Sequence, residues 1–257
     1  MLKHIFFLSL VSSLYAATEP AQRGLEIARQ VEAKDNGWGD QQVQAKMILR
    51  SPNEKEVVRV IRTKSLEVTG DGDKALIVFD QPLDVKGTVF LTYAHKQNED
   101  EQWLYLPALN RVKRISASNR SGPFMGSEFA YEDVGSQEVE QFTYQYLRDE
   151  KFDNTDCFVV ERYPTQSSSG YKRQIVWVDK ANTRLQKIEY YDLKDKLLKT
   201  LVFKKYQLYA GKFWRSLLWE MTNHQTQKST NIEWDTFKLK VGLNANDFDQ
   251  NALKRVK

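Results

Sequence analysis

The stretch FWRSLLWEM, residues 213–221, decides the fold. Phe213, Arg215, Leu217, Trp219 and Met221 fall on one side of an extended chain, and Trp214, Ser216, Leu218 and Glu220 on the other. The period is two, so the segment is a strand. Both of its sides carry bulk, whereas a sheet wetted on one face would show one polar side. Two architectures satisfy this. One is a closed barrel or sandwich with a covered outside. The other is a curved sheet whose concave face meets helices across an apolar cavity.

The same alternation recurs along the chain. Val58 and Val60 alternate with Arg59 and Ile61, Val89, Leu91 and Tyr93 with Phe90 and Thr92, and Phe142, Tyr144 and Tyr146 with Thr143, Gln145 and Leu147. Ile175 and Trp177 do so with Gln174, Val176 and Val178. Turn residues separate the runs, among them Gly70 to Asp73, Asp153-Asn154, Ala210 to Lys212 and His224 to Lys228. About eleven strands are expected at this spacing. The gaps are too short for crossover helices, so the sheet is antiparallel. One helix is expected, over Pro20 to Lys34, where Leu25, Ala28 and Val31 recur at helical spacing, Ile27 widens the apolar face, and Asp35-Asn36-Gly37 stops it. No linker, charge block or repeat divides the chain, so residues 18–257 read as one domain.

Residues 1–17 read as a secretory signal. Lys3 and His4 form a polar start, Ile5 to Val11 an apolar run, and Ser12 to Ala17 a small-residue zone with cleavage near Ala16 or Ala17. The run is too short to span a bilayer as a helix. The product is expected to be exported, with a bacterial periplasm the best fit. A single cysteine, Cys157, rules out an internal disulfide framework and a cysteine-rich metal site. The net charge of +4, from 38 basic and 34 acidic residues, is small and scattered and does not point to nucleic acid.

The middle of the chain departs from the pattern. EQWLYLPALNRVKRI, residues 101–115, reads as a hairpin. Residues 116–134, SASNRSGPFMGSEFAYEDV, are then non-strand, yet carry Phe124, Met125, Phe129 and Tyr131. A solvated loop does not usually hold so much apolar bulk. The segment is expected to fold over the sheet and bury those groups.

Here the chain resembles a known family. DVKGTVFLTYAHK at 84–96, WLYLPALNRVKRI at 103–115, GPFMGSEFAYEDV at 122–134, SGYKRQIVWVD at 169–179, LLKTLVFKKYQ at 197–207 and MTNHQTQKST at 221–230 follow in order. Together they resemble the outer-membrane lipoprotein-sorting-like proteins of the LolA-like superfamily, over about residues 20 to 255. The resemblance implies a single-domain, mainly β fold with helices: an incomplete antiparallel β-barrel closed by a helical and loop lid. It implies acyl chains of a lipid or lipoprotein as ligand, a monomer, and an inner-membrane transporter of the resistance-nodulation-division type as partner.

On this reading Trp103, Tyr105, Leu106, Phe124, Met125, Phe129 and Tyr131 are the expected cavity wall and lid, with ordinary core packing the competing account of each. Arg111, Lys113, Arg114 and Arg120 form the densest basic cluster and would meet an anionic head group or partner; a solvated hairpin arm explains them as well. Glu128, Glu132 and Asp133 have no accompanying nucleophile–base pair and read as ion-pair or capping groups, not acid–base catalysts. His95 and His224 lack ligand spacing, so no metal, no cofactor and no enzymatic activity are expected. The leading function is a periplasmic carrier. Its rival is a sensor or accessory module of the same fold that docks on a membrane protein, as in regulatory relatives similar to RseB.

Overall fold

The computed structural model describes residues 11–53 and 56–256, with side chains from residue 19 onward. The expected signal segment, 1–17, therefore lies outside the described side chains. Its last residues appear only as backbone, in the first turns of α1 (Val11–Asp35).

Among the described residues, fourteen strands follow α1 in one antiparallel sheet. They are β1 (Asp40–Arg50), β2 (Val57–Leu66), β3 (Lys74–Gln81), β4 (Val89–Tyr93), β5 (Glu101–Leu106), β6 (Arg111–Arg114) and β7 (Phe142–Phe152). Then come β8 (Thr155–Pro164), β9 (Tyr171–Asp179), β10 (Leu185–Asp192), β11 (Leu197–Tyr209), β12 (Phe213–Asn223), β13 (Ser229–Trp234) and β14 (Lys238–Leu239). The count exceeds the expected eleven because pieces such as β14, two residues long, are too short to show a period. Hairpin turns sit where the turn residues placed them. At Asp153-Asn154 and Ala210-Gly211 both residues have positive φ, the turn whose twist matches its flanking strands.

The sheet runs in the order β6-β5-β4-β3-β2-β1-β13-β12-β11-β10-β9-β8-β7, so β6 and β7 are free edges and the barrel is open. One face nevertheless forms a single core. Leu104 on β5, Ile77 on β3, Met47 on β1, Met221 on β12, Ile188 on β10 and Val160 on β8 belong to the same apolar cluster. Strands so far apart in the sheet share a core only if the sheet curls.

Apolar bulk on the other face has its own cover. Leu76, Val78, Val89, Leu91 and Trp103 pack under Phe248 and Leu253, which short 3-10 turns at Ala245–Phe248 and Gln250–Arg255 carry onto the outside. Of the two architectures suggested by FWRSLLWEM, the curved sheet with an inner face closed by other elements is the one present; the sheet does not close into a barrel, and its outer face has only a local cover.

α1 closes the β7 side. Gly24, Ile27, Ala28 and Val31 share one face, with Gly24 and Ile27 buried. A Cβ on Gly24 would lie 2.9 Å from the Tyr146 backbone nitrogen, so only glycine permits this approach. The Arg23 guanidinium lies 3.8 Å from the Tyr146 ring centroid. Beyond Gly37, Arg215 on β12 pairs with Asp35 and donates to Gln41 Oε1 at 3.1 Å, tying the end of the helix to the sheet.

Candidate functional site: an apolar hollow under a strap

A cavity of about 760 Å³ lies between the curled sheet, α1 and the 116–134 segment. Met47, Ile61, Ile77, Phe203, Ile232 and Trp234 supply much of its apolar wall. Polar groups gather toward the helix end and the β9–β10 and β11–β12 turns: Lys34, Asp35, Asn182, Arg184, Lys212 and Arg215. The volume is in the ~300–1,000 Å³ range of ligand-sized sites.

The 116–134 segment bridges the two wings of the sheet. Phe124, fully buried, sits 5.9 Å from Phe79 and 5.0 Å from Phe90, ring to ring, on the β3–β4 wing. Phe129 lies 6.4 Å from Trp219 on the opposite wing. Polar bonds fix both ends. Gln102 on β5 donates to the Tyr131 carbonyl at 2.9 Å, and Arg59 on β2 donates to the Met125 carbonyl. On the other wing Lys199 Nζ meets Asp133 at 2.6 Å and the Glu128 carbonyl at 2.8 Å, while Tyr171 donates its hydroxyl to Asp133 at 2.9 Å. Asn223 donates to Glu128 at 2.7 Å, and the Gly170 amide donates to Glu132 at 2.9 Å. Burial pushes the Glu132 carboxyl up, and the Asp133 charge adds to it. The three carboxylates are therefore fastenings of a strap. Their partners are a lysine, an amide, hydroxyls and backbone.

The seven expected wall residues divide three ways. Phe124 and Phe129 line the hollow. Leu106, Met125 and Tyr131 pack against the main core behind that wall. Trp103 and Tyr105 belong to the outer-face cluster under Phe248, because they alternate with Leu104 and Leu106 along β5. The basic cluster divides as well. Arg111, Lys113 and Arg114 are exposed on β6, with Arg114 2.7 Å from Glu101. Arg120 is buried and bonded to Asp100 at 2.8 Å and to Gln166 at 2.7 Å, so it braces the strap instead of facing solvent.

Sequence reasoning did not single out the wall contributed by β1, β2, β3 and β13, nor Trp234. The signal was present: Val43, Ala45, Met47 and Leu49 keep one parity in DQQVQAKMILR. Nor did it find two acidic features. Glu32, Glu138 and Glu140 bring carboxylate oxygens within 4.8 Å of one another, with Lys96 Nζ 3.2 Å from Glu32 as counter-ion. Asp73, on the cavity lining, is pushed up to about 7 by burial. Cys157 is fully buried and burial pushes its thiol up to about 11, which leaves it protonated and inert.

An open antiparallel half-barrel that encloses an apolar hollow is the LolA-like fold. A family model described as uncharacterized-protein-like matches residues 71–255. A Vibrio parahaemolyticus structure described as a "putative outer membrane lipoprotein-sorting protein domain" is 54% identical, with TM-score 0.90, covering 91% of this chain and 100% of that one. A DUF1329 family protein from Desulfovibrio piger is 30% identical, with TM-score 0.86, covering 91% and 99%. A LolA superfamily protein from Nitrosomonas europaea, 22% identical with TM-score 0.69 over 90% and 98%, shares the fold. No functionally curated protein matches. The chain belongs to the family of the Vibrio parahaemolyticus domain and the DUF1329 protein, and it shares the LolA-like fold.

Proposed function

We propose that this protein is an exported, non-catalytic carrier that takes an acyl chain of a lipid or lipoprotein into the hollow and hands it between membrane partners. The observation that carries the reading is the cavity of about 760 Å³, walled mainly by aliphatic and aromatic side chains with charged groups toward one end. Taking each methylene at about the ~30 Å³ share of a liquid water, a sixteen-carbon chain needs ~480 Å³, which fits. At ~0.8 kcal/mol per buried CH₂, such a chain gains on the order of 12 kcal/mol gross on leaving water. The Vibrio parahaemolyticus relative is described as a lipoprotein-sorting domain, which supports the cargo class.

In this reading Phe124 and Phe129 touch cargo, and Leu106, Met125 and Tyr131 hold the strap that presents them. Residues 1–17 direct export to the periplasm, residues 18–257 work as one monomeric lipid-binding unit, and an inner-membrane transporter of the resistance-nodulation-division type is the handover partner.

Purification from expressing cells followed by lipid mass spectrometry tests the reading. Co-purified lipid, or stoichiometric uptake of a fluorescent fatty acid by delipidated protein, is expected. Protein that carries no lipid and takes up no probe would refute it. Uptake without transfer from donor to acceptor vesicles would instead mark a sensor or accessory module.

A further inference from the structure

Large apolar side chains that stand in water are few here, and several gather at one place. Leu83, in the β3–β4 loop, is 87% exposed, and Leu109, in the β5–β6 turn, is 69% exposed. Val57 and Val58, at the start of β2, are 43% and 42% exposed. The two leucine loops are neighbours: a Cβ on Gly87 would lie 3.5 Å from Pro107 Cγ. The start of β2 adjoins the end of β3, where Val60 pairs with Gln81.

Unpaired cations surround these tips. Lys86, Arg111 and Lys113 are exposed, and their side chains make no ion pair or hydrogen bond among the described residues. Arg111 and Lys113 sit opposite Leu106 and Leu104 in the β5–β6 register, beside the Leu109 turn. The acids nearby are mostly balanced. Asp80 pairs with Arg62 at 2.6 Å, Glu56 with Arg50 at 2.8 Å, and the charge of Asp84 acts on Arg59. Among the described residues the local excess is positive.

We propose that this end of the sheet docks on a bilayer surface bearing anionic lipid headgroups, with Leu83 and Leu109 entering the headgroup boundary and Lys86, Arg111 and Lys113 meeting phosphates. Protruding leucines on separate loops offer a protein partner little of the ~800 Å² per side that a stable interface needs. A bilayer interface solvates each apolar tip separately and rewards adjacent cations. The inference goes beyond cargo binding and stands without it.

The test is flotation with vesicles of equal parts phosphatidylglycerol and phosphatidylcholine, against phosphatidylcholine alone. Binding to the anionic vesicles is expected, weakening as salt rises. At ~1 kcal/mol per cation, about fivefold each, Lys86→Gln/Arg111→Gln/Lys113→Gln should weaken binding roughly a hundredfold. Leu83→Ser/Leu109→Ser should weaken it by about tenfold or more. Wild type and variants differ only at the tips, so any contribution of the N-terminal segment cancels. Fatty-acid uptake by Leu83→Ser/Leu109→Ser should be unchanged, which separates failure of docking from failure of the carrier reading. Four results would overturn the proposal: no flotation of the wild type, equal binding to neutral vesicles, variants that float like the wild type, or flotation only when the vesicles hold inner-membrane proteins. A dimer in sedimentation that the leucine variant dissolves would assign the face to a second copy and overturn it too.

Discussion

Replacing Lys199 with methionine should unfasten the strap. The Lys199 and Asp133 side chains are each only 4% exposed and meet at 2.6 Å. Lys199→Met keeps the apolar stem but leaves the Asp133 carboxylate buried with only the Tyr171 hydroxyl and the Ala130 amide as donors. Breaking a buried pair from one side costs ~3–5 kcal/mol. That is a large share of the ~5–15 kcal/mol that holds a typical domain together. At roughly 2–4 °C per kcal/mol for a chain of this size, Tm should fall by on the order of 10 °C. The second arm is Lys199→Met/Asp133→Asn. The amide keeps an oxygen for Ala130 and Tyr171 but carries no charge, so about half or more of the loss should return. Urea denaturation of wild type, both single variants and the double variant reads the coupling directly. A cost below ~1 kcal/mol for Lys199→Met, or a double variant as unstable as the sum of the singles, would refute the account of the strap as a charge-fastened element.

Three further outcomes are expected. Gly24→Ala should destabilise by ~1–3 kcal/mol in thermal melts despite alanine's ~1 kcal/mol helix advantage, because its Cβ meets the β7 backbone; equal or greater stability would contradict the close approach. Thr63→Phe, on the cavity lining, should lower fatty-acid uptake at least severalfold while leaving the unfolding free energy from urea titration within about 1 kcal/mol; unchanged uptake would place the cargo elsewhere. Asp73 has a folded pKa near 7 against an ordinary 3.8, so the folded state holds the proton more tightly. Its contribution is nil below 3.8 and becomes an increasing penalty as pH rises to about 7. The full shift is worth ~4 kcal/mol, of which about half survives screening at a half-buried site. Asp73→Asn should therefore match wild type in acid and gain ~2 kcal/mol above neutrality, in urea titrations across that range.

Much of this was legible in period and turn chemistry. FWRSLLWEM announced a strand with two covered faces, and the positive-φ turns at Asp153-Asn154 and Ala210-Gly211 fell at the expected sites. The apolar content of residues 116–134 announced a segment that folds inward. What period could not assign was the face on which each aromatic lands. Trp103 and Tyr105 look as suited to a cavity as Phe124, yet the parity of β5 sends them to the outside, where Phe248, 145 residues beyond Trp103, covers them. Arg120 resembles its basic neighbours in sequence but finds Asp100 and Gln166 in space. Such long-range partners leave no local trace.

The unpaired edges β6 and β7 carry one more consequence. A sealed hoop has a circumference set by its ladder of backbone bonds, and widening it means breaking some of them. Here the ring is never completed, and its gap is spanned by side chains from α1 and the strap. The girth of the vessel can therefore adjust by rolling one rim against the other, with every interstrand bond kept, and cargo of different thickness asks only that the stays slacken.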